Sequence, residues 1–177
     1  MQTVKEKAQN SFSKIKEALG VTNVMSSPRL VKVVLSSGTG KITDKRKKEL
    51  VTDRLTKIAG QKPAPRGARK SIATFKLREG DVIGTMVTLR GDRMYSFLDK
   101  FINIALPRMR DFKGIDPKAI DSMGNLTIGL PEHTIFPETG DEDLRDVFGL
   151  SVTVVTTAPN KEMAEAFLRE IGIPFKK

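Results

Sequence analysis

Four stretches of this chain alternate apolar and polar residues with a period of two, and each keeps one polar face. In Arg29–Ser36, Val31, Val33 and Leu35 share one face, while Leu30, Lys32, Val34 and Ser36 share the other. Val82–Arg90 sets Ile83, Val87 and Leu89 against Met86, Thr88 and Arg90. Asn125–Leu130 presents Leu126, Ile128 and Leu130 on one side, and Leu150–Thr157 sets Leu150, Val152 and Val154 against Ser151, Thr153 and Thr157. A shorter extended stretch is expected at Ile72–Leu77. Strands covered on one side only belong to an antiparallel or mixed sheet with helices on a single face. The other face would display Lys32, Ser36, Thr88, Arg90, Ser151 and Thr153, a surface suited to a sugar–phosphate backbone.

Helical periodicity fills the intervals. The first helix is expected from about Thr3 to Leu19, with Val4, Ala8, Ile15 and Leu19 on one stripe and Gly20 as its stop. A second runs from Thr43 as N-cap to Gly60, with Leu50, Val51, Leu55, Ile58 and Ala59 inward. Lys45–Lys48 crowd its first turn, where the helix dipole is already positive, so their placement points to a compensating use. Asp92 opens a third helix carrying Met94, Phe97, Leu98, Phe101, Ile102 and Ala105, ended by Pro107. Asn160 caps a last one with Met163, Ala166, Phe167 and Ile171 inward and Gly172 beyond it. No repeat or long linker interrupts this order, so residues 1–177 are expected to form a single α+β domain.

Charge divides the chain. Residues 1–110 carry a net +15 and residues 111–177 a net −5. Such asymmetry suits a polyanion on the basic part and other partners on the acidic part. Gln61–Lys70 is the densest basic segment, with Lys62, Arg66, Arg69 and Lys70 among prolines and glycine. The first residues have no signal-type apolar run, and no stretch reaches membrane-helix length. A soluble, cytoplasmic protein is expected.

Catalytic motifs fail on inspection. Ser37-Gly38-Thr39-Gly40-Lys41 resembles a phosphate loop, but Leu35 stands where its first glycine belongs and Ile42 where Ser or Thr must hold magnesium. Cysteine is absent, and His133 is the single histidine, expected on a surface loop; no metal or cofactor site is expected. The carboxylates between Glu132 and Asp146, including Asp141 and Asp143, lack calcium-loop spacing and are expected to form a solvated or partner-facing patch in a loop-like segment. RNP-type stacking aromatics are missing as well. Recognition of RNA by shape and phosphate, through Arg and Lys, is the expectation that remains, and no catalysis.

The blocks Gln61-Lys62-Pro63, Ala68–Gly80, Val87–Met94, Leu106–Gly114, His133–Glu138 and Pro174–Lys177 resemble the bacterial-type large-subunit ribosomal protein five family, in order and over nearly the whole chain. The resemblance implies a five-stranded, largely antiparallel sheet with helices on one face. It implies binding to 5S ribosomal RNA in the central protuberance, contact with the peptidyl-site tRNA beside neighbouring large-subunit proteins, and a bridge to a small-subunit head protein. The family's RNA-binding positions fall on Gln61, Phe75 and Thr88, and a fourth, usually Asn, is Ser36 here. The tRNA-facing loop maps to about Ser71–Asp81, with Lys76 and Arg78 as phosphate contacts. The bridging surface maps near Arg110–Lys118 and the acidic segment after Phe136. By its alternation alone, Phe75 fits a core ring as well as an RNA-facing one.

Overall fold

The computed structural model describes residues 3–19, 23–42, 44–140 and 146–176. Its strands are β1 (Leu30–Gly38), β2 (Ala64–Gly67), β3 (Val82–Leu89), β4 (Leu126–Leu130) and β5 (Leu150–Thr156), in one sheet of order β2-β3-β1-β5-β4. The helices are α1 (Val4–Leu19), α2 (Lys45–Ala59), α3 (Gly91–Lys100), the single turn α4 (Leu106–Arg108) and α5 (Lys161–Ile171). The sheet is antiparallel. Thr157 meets Arg29 while Ser151 meets Ser36, so β5 runs against β1. Thr156 likewise meets Asn125, and Thr153 meets Thr127, which sets β4 against β5. The α+β class read from the alternation holds.

The strand membership differs in one place. Ile72–Leu77 is not extended: Ile72 and Leu77 exchange both backbone hydrogen bonds across a tight turn over Ala73–Phe75, closed by Lys76 at φ 51°. The fifth strand lies instead in the Pro-rich segment, where Ala64, Pro65 and Arg66 pair with Met86, Thr85 and Gly84. Proline cannot donate to a ladder, so such a strand is confined to an edge, and β2 is one. A register shift falls between Arg66 and Gly67, after which Gly67 pairs with Val82.

The chain forms two compact units. The first comprises residues 1–33, 89–128 and 153–177, in which α1 packs on α5 and on α3. Its core includes Val4, Ile15, Phe97, Phe101, Leu126, Val154 and Phe167. Leu30 rather than Val31 is buried at the start of β1, because Leu30 turns towards Phe12, Tyr95 and Phe167. On α5, Asn160 accepts from the N–H of Met163 as expected. Ala164 and Leu168, not Met163 and Ala166, join Phe167 and Ile171 in the core. Pro107 does not end the third helix. A wider π-type turn over Phe101–Ala105 lets it continue through Arg108.

Before β4, the Asp121 carboxylate accepts the backbone N–H groups of Asn125 and Met123 at 2.7 and 3.0 Å. These donors, Asn125 foremost, hold its carboxyl below the usual carboxylate range. The turn's contribution to stability is therefore complete above the unfolded carboxylate pKa and is lost as pH falls through the lowered folded value.

The second unit comprises residues 34–88 and 129–152. Here α2 buries Val51, Leu55, Ile58 and Ala59, leaves Leu50 half-buried, and ends at Gly60 with φ 64°. Its N-cap is Asp44, whose carboxylate accepts from the N–H of Arg46 at 2.9 Å. An acid at that position offsets part of the local repulsion from Lys45–Lys48. The segment after β4 is less loop-like than its acids suggest. His133 is wholly buried in a helical turn, its ring stacked on Phe148 at 4.0 Å and its Nδ1 accepting the Phe148 N–H at 3.3 Å. Ile135, Phe136 and Thr139 are buried with it, so apolar content outweighs the flanking carboxylates and His133 is not a surface residue. The Leu19 side chain, Gly20, Thr43 and the acids Asp141–Asp143 lie outside what is described.

Candidate nucleic-acid interface

In the second unit, the half-buried residues of β1, β3 and β5 facing away from the core include Val34, Ser36, Met86, Thr88 and Ser151. The Ser36 and Ser151 hydroxyls share a hydrogen bond of 2.8 Å, and Gln61 Nε2 donates to the Thr88 carbonyl at 3.4 Å. Gln61 reaches that carbonyl because α2 ends at Gly60 and the chain turns back towards β3. The structure thus joins Gln61, in the turn after α2, to the Thr88 carbonyl, and Ser36 to Ser151 across two strands, as two polar pairs. Ser151 completes the second pair and is the partner that the alternation marks as outward.

Beside these pairs, β2 carries Arg66 outward, with Nη2 3.9 Å from the Met86 sulfur. Lys62, Arg69 and Lys70 are exposed on the same segment. The edge strand supplies the order that a loop of this composition would lack, and Pro63, which is buried, anchors its start. That strand escapes sequence reasoning because Pro63 and Pro65 argue against a ladder, although an edge strand tolerates proline.

From the end of β2 the chain projects as the Ser71–Asp81 loop. Its stem is closed by Ala68 N–H to Asp81 O at 2.8 Å and Gly80 N–H to Ala68 O at 3.0 Å. The Asp81 carboxylate accepts the Arg78 N–H at 2.8 Å, and the Ser71 hydroxyl accepts the Glu79 N–H at 3.0 Å. These bonds shape the loop from within, although nearly all its side chains face solvent. Phe75 is 69 % exposed, which removes it from the core. Phe75→Ala is accordingly expected to leave the thermal unfolding midpoint almost unchanged, within about 0.5 kcal/mol in stability. A large loss of stability in a thermal melt would return the ring to a packing role.

Electrostatics separate this surface from an ordinary solvated one. Among the described residues, Lys62, Arg66, Arg69, Lys70, Lys76 and Arg78 have no carboxylate within ion-pair distance. Six cations within 17 residues of sequence thus keep their charge for an outside partner.

In the first unit, Lys32 is half-buried on β1, and Arg90 is exposed at the N-cap of α3. The Arg110–Lys118 segment is held to the chain's end: Ile115 N–H bonds to Pro174 O at 2.8 Å, and Lys176 N–H to Ile115 O at 2.9 Å. Arg110, Lys113 and Lys118 stand exposed on it. Among the described residues, no group of His, Asp or Glu side chains is arranged to hold a metal ion.

Comparison with known proteins decides what kind of surface this is. Residues 23–78 match the family described as Ribosomal protein L5, and residues 82–175 match the family described as the C-terminus of that same ribosomal protein. A Large ribosomal subunit protein uL5 from Anaeromyxobacter sp. (strain K) is 49 % identical over 93 % of this chain and 92 % of its own. Those of Desulfatibacillum aliphaticivorans and Heliobacterium modesticaldum are 50 % and 48 % identical, over 97 % and 99 % of both chains.

The chain belongs to the ribosomal protein L5 family. It is therefore a structural, non-enzymatic protein of the large ribosomal subunit, at work on the cytoplasmic ribosome of bacteria. As a ribosomal L5 protein it partners the ribosome and ribosomal RNA.

Proposed function

We propose that the chain acts as one domain that binds 5S ribosomal RNA in the central protuberance, with the second unit's basic surface as its main contact. The observation that carries this reading is the set of cations that lack counter-charge among the described residues, beside the Gln61–Thr88 and Ser36–Ser151 pairs. Lys62, Arg66, Arg69 and Lys70 hold phosphates, and the polar pairs offer groups to sugars and base edges. The exposed Phe75 ring stacks on an unpaired base. Lys32 and Arg90 add phosphate contacts from the first unit.

Lys76 and Arg78 contact the peptidyl-site tRNA from the projecting loop. The Arg110–Lys118 segment and the acids after Phe136 meet a protein of the small-subunit head. Ser36 stands where the family usually has Asn. Its hydroxyl, tied to Ser151, reaches less far than an amide, so it orders β1 and β5 beneath the RNA more than it reads a base.

A gel-shift titration of the full chain with 5S RNA tests the reading. Tight binding is expected, with log affinity falling steeply against log salt. Equal affinity for an unrelated RNA duplex at moderate salt would refute it.

A further inference from the structure

The second unit carries a trough of 720 Å³ along α2, bordered by Lys45, Lys48, Thr52, Thr56, Lys62 and Val82. A neighbouring trough of 900 Å³ shares Lys48 and Val82 with it and extends past Lys41 to Phe75 and Lys76. We propose that this continuous trough is a second RNA site, holding the backbone of a single-stranded RNA segment apart from the open sheet face. The inference rests on the RNA-binding reading and adds to it the side of the trough lined by Lys41, Lys45 and Lys48, which the family positions leave out, while Lys62, Phe75 and Lys76 stay with the contacts proposed above.

Lys45 and Lys48 are one turn apart and so line the same side of α2. Among the described residues, Lys41, Lys45, Arg46 and Lys48 have no carboxylate within ion-pair distance. Three acids, Glu49, Asp53 and Asp81, border the trough. Asp53 is answered within its own helix by Lys57 at 3.3 Å and Arg54 at 3.6 Å. Glu49 and Asp81 are outnumbered by Lys41, Lys45, Lys48, Lys62 and Lys76 along the trough, so its field is positive.

Its floor is suited to a nucleic-acid chain more than to a small anion. Thr52 and Thr56 donate their hydroxyl protons back to the Lys48 and Thr52 carbonyls, which leaves few donors at the floor. Long lysine stems lie along such a surface with their ammonium groups at the rim. A positively charged groove with apolar walls is how proteins track the backbone of a single strand without reading sequence. The local crowding of cations in the first turn of α2 thereby acquires a use.

The test uses the full chain with saturating 5S RNA and a fluorescent 20-nucleotide single-stranded RNA of mixed sequence, followed by anisotropy. A ternary complex is expected. Lys45→Gln/Lys48→Gln should weaken oligonucleotide binding by roughly fifteenfold at 0.15 M salt and lower the salt slope by about 1.4, from the two lost phosphate contacts to a single strand. Its 5S RNA affinity should stay unchanged, and Lys45→Arg/Lys48→Arg should bind as the parent does. Lys41→Gln reads the same trough from outside the helix should the double variant fail to fold.

Absence of a ternary complex, or binding indifferent to both variants, would overturn the proposal. So would equal displacement by polyglutamate at matched charge, which would mark an acidic polypeptide as the occupant. Failure of 5S RNA to bind at all would instead strike the proposed function, and the oligonucleotide titration of the free protein would then decide the trough by the same variants.

Discussion

Replacing Arg69 and Lys70 together with glutamine is expected to weaken 5S RNA binding by roughly thirtyfold at 0.15 M salt. Each phosphate contact contributes a factor of about five there, since affinity scales with salt to a power near −0.9 per contact. The slope of log affinity against log salt should fall by about two, and the difference between variant and parent should vanish near 1 M. Both side chains are exposed, so folding should be untouched. A variant that binds as well as the parent at low salt would remove this segment from the interface. One that loses affinity equally at every salt concentration would show a defect other than lost phosphate contacts.

The other large effect concerns the fold itself. Gly124→Ala is expected to destabilise the protein by about 2–4 kcal/mol, part from the left-handed backbone and part from overpacking. Gly124 has φ 75°, and an added Cβ would lie 2.7 Å from the Ala158 carbonyl oxygen and 2.9 Å from the Ala158 Cβ. Its own carbonyl accepts the Thr156 hydroxyl at 2.7 Å, so the turn cannot shift without losing a buried bond. For a chain of this size that corresponds to a fall of about 5–15 °C in the unfolding midpoint. Gly129→Ala is the control, because an added Cβ there meets nothing within 4 Å. Equal midpoints for the two variants in a calorimetric scan would refute the steric account.

Both results bear on how much of the molecule could be read from residues alone. The alternation in Val82–Leu89 and Leu150–Thr156 translated directly into strands, because a face buried against helices must repeat every second residue. The polar pairs Ser36–Ser151 and Gln61–Thr88 join residues 115 and 27 positions apart, and no local pattern encodes such pairing. Ile72–Leu77 misled because its apolar residues suggest a strand while the backbone closes a turn at Lys76. His133 misled in the opposite sense: the carboxylates around it outnumber the signals from Ile135 and Phe136, which carry it into the core. The basic segment was legible as charge, whereas the strand that orders it was hidden by its prolines.

That strand has a consequence before any RNA is met. A newly made sheet protein exposes the outer backbone of its edge strands to every other copy in the cell, and unguarded edges recruit one another into aggregates. Here one edge is four residues long, carries Pro65 within it, presents Arg66 outward and is interrupted by a register shift between Arg66 and Gly67. A second sheet finds too few donors in line to extend a ladder, and like charges repel it. The segment assigned to RNA therefore also keeps unassembled copies from pairing along this edge while each awaits its place in the ribosome.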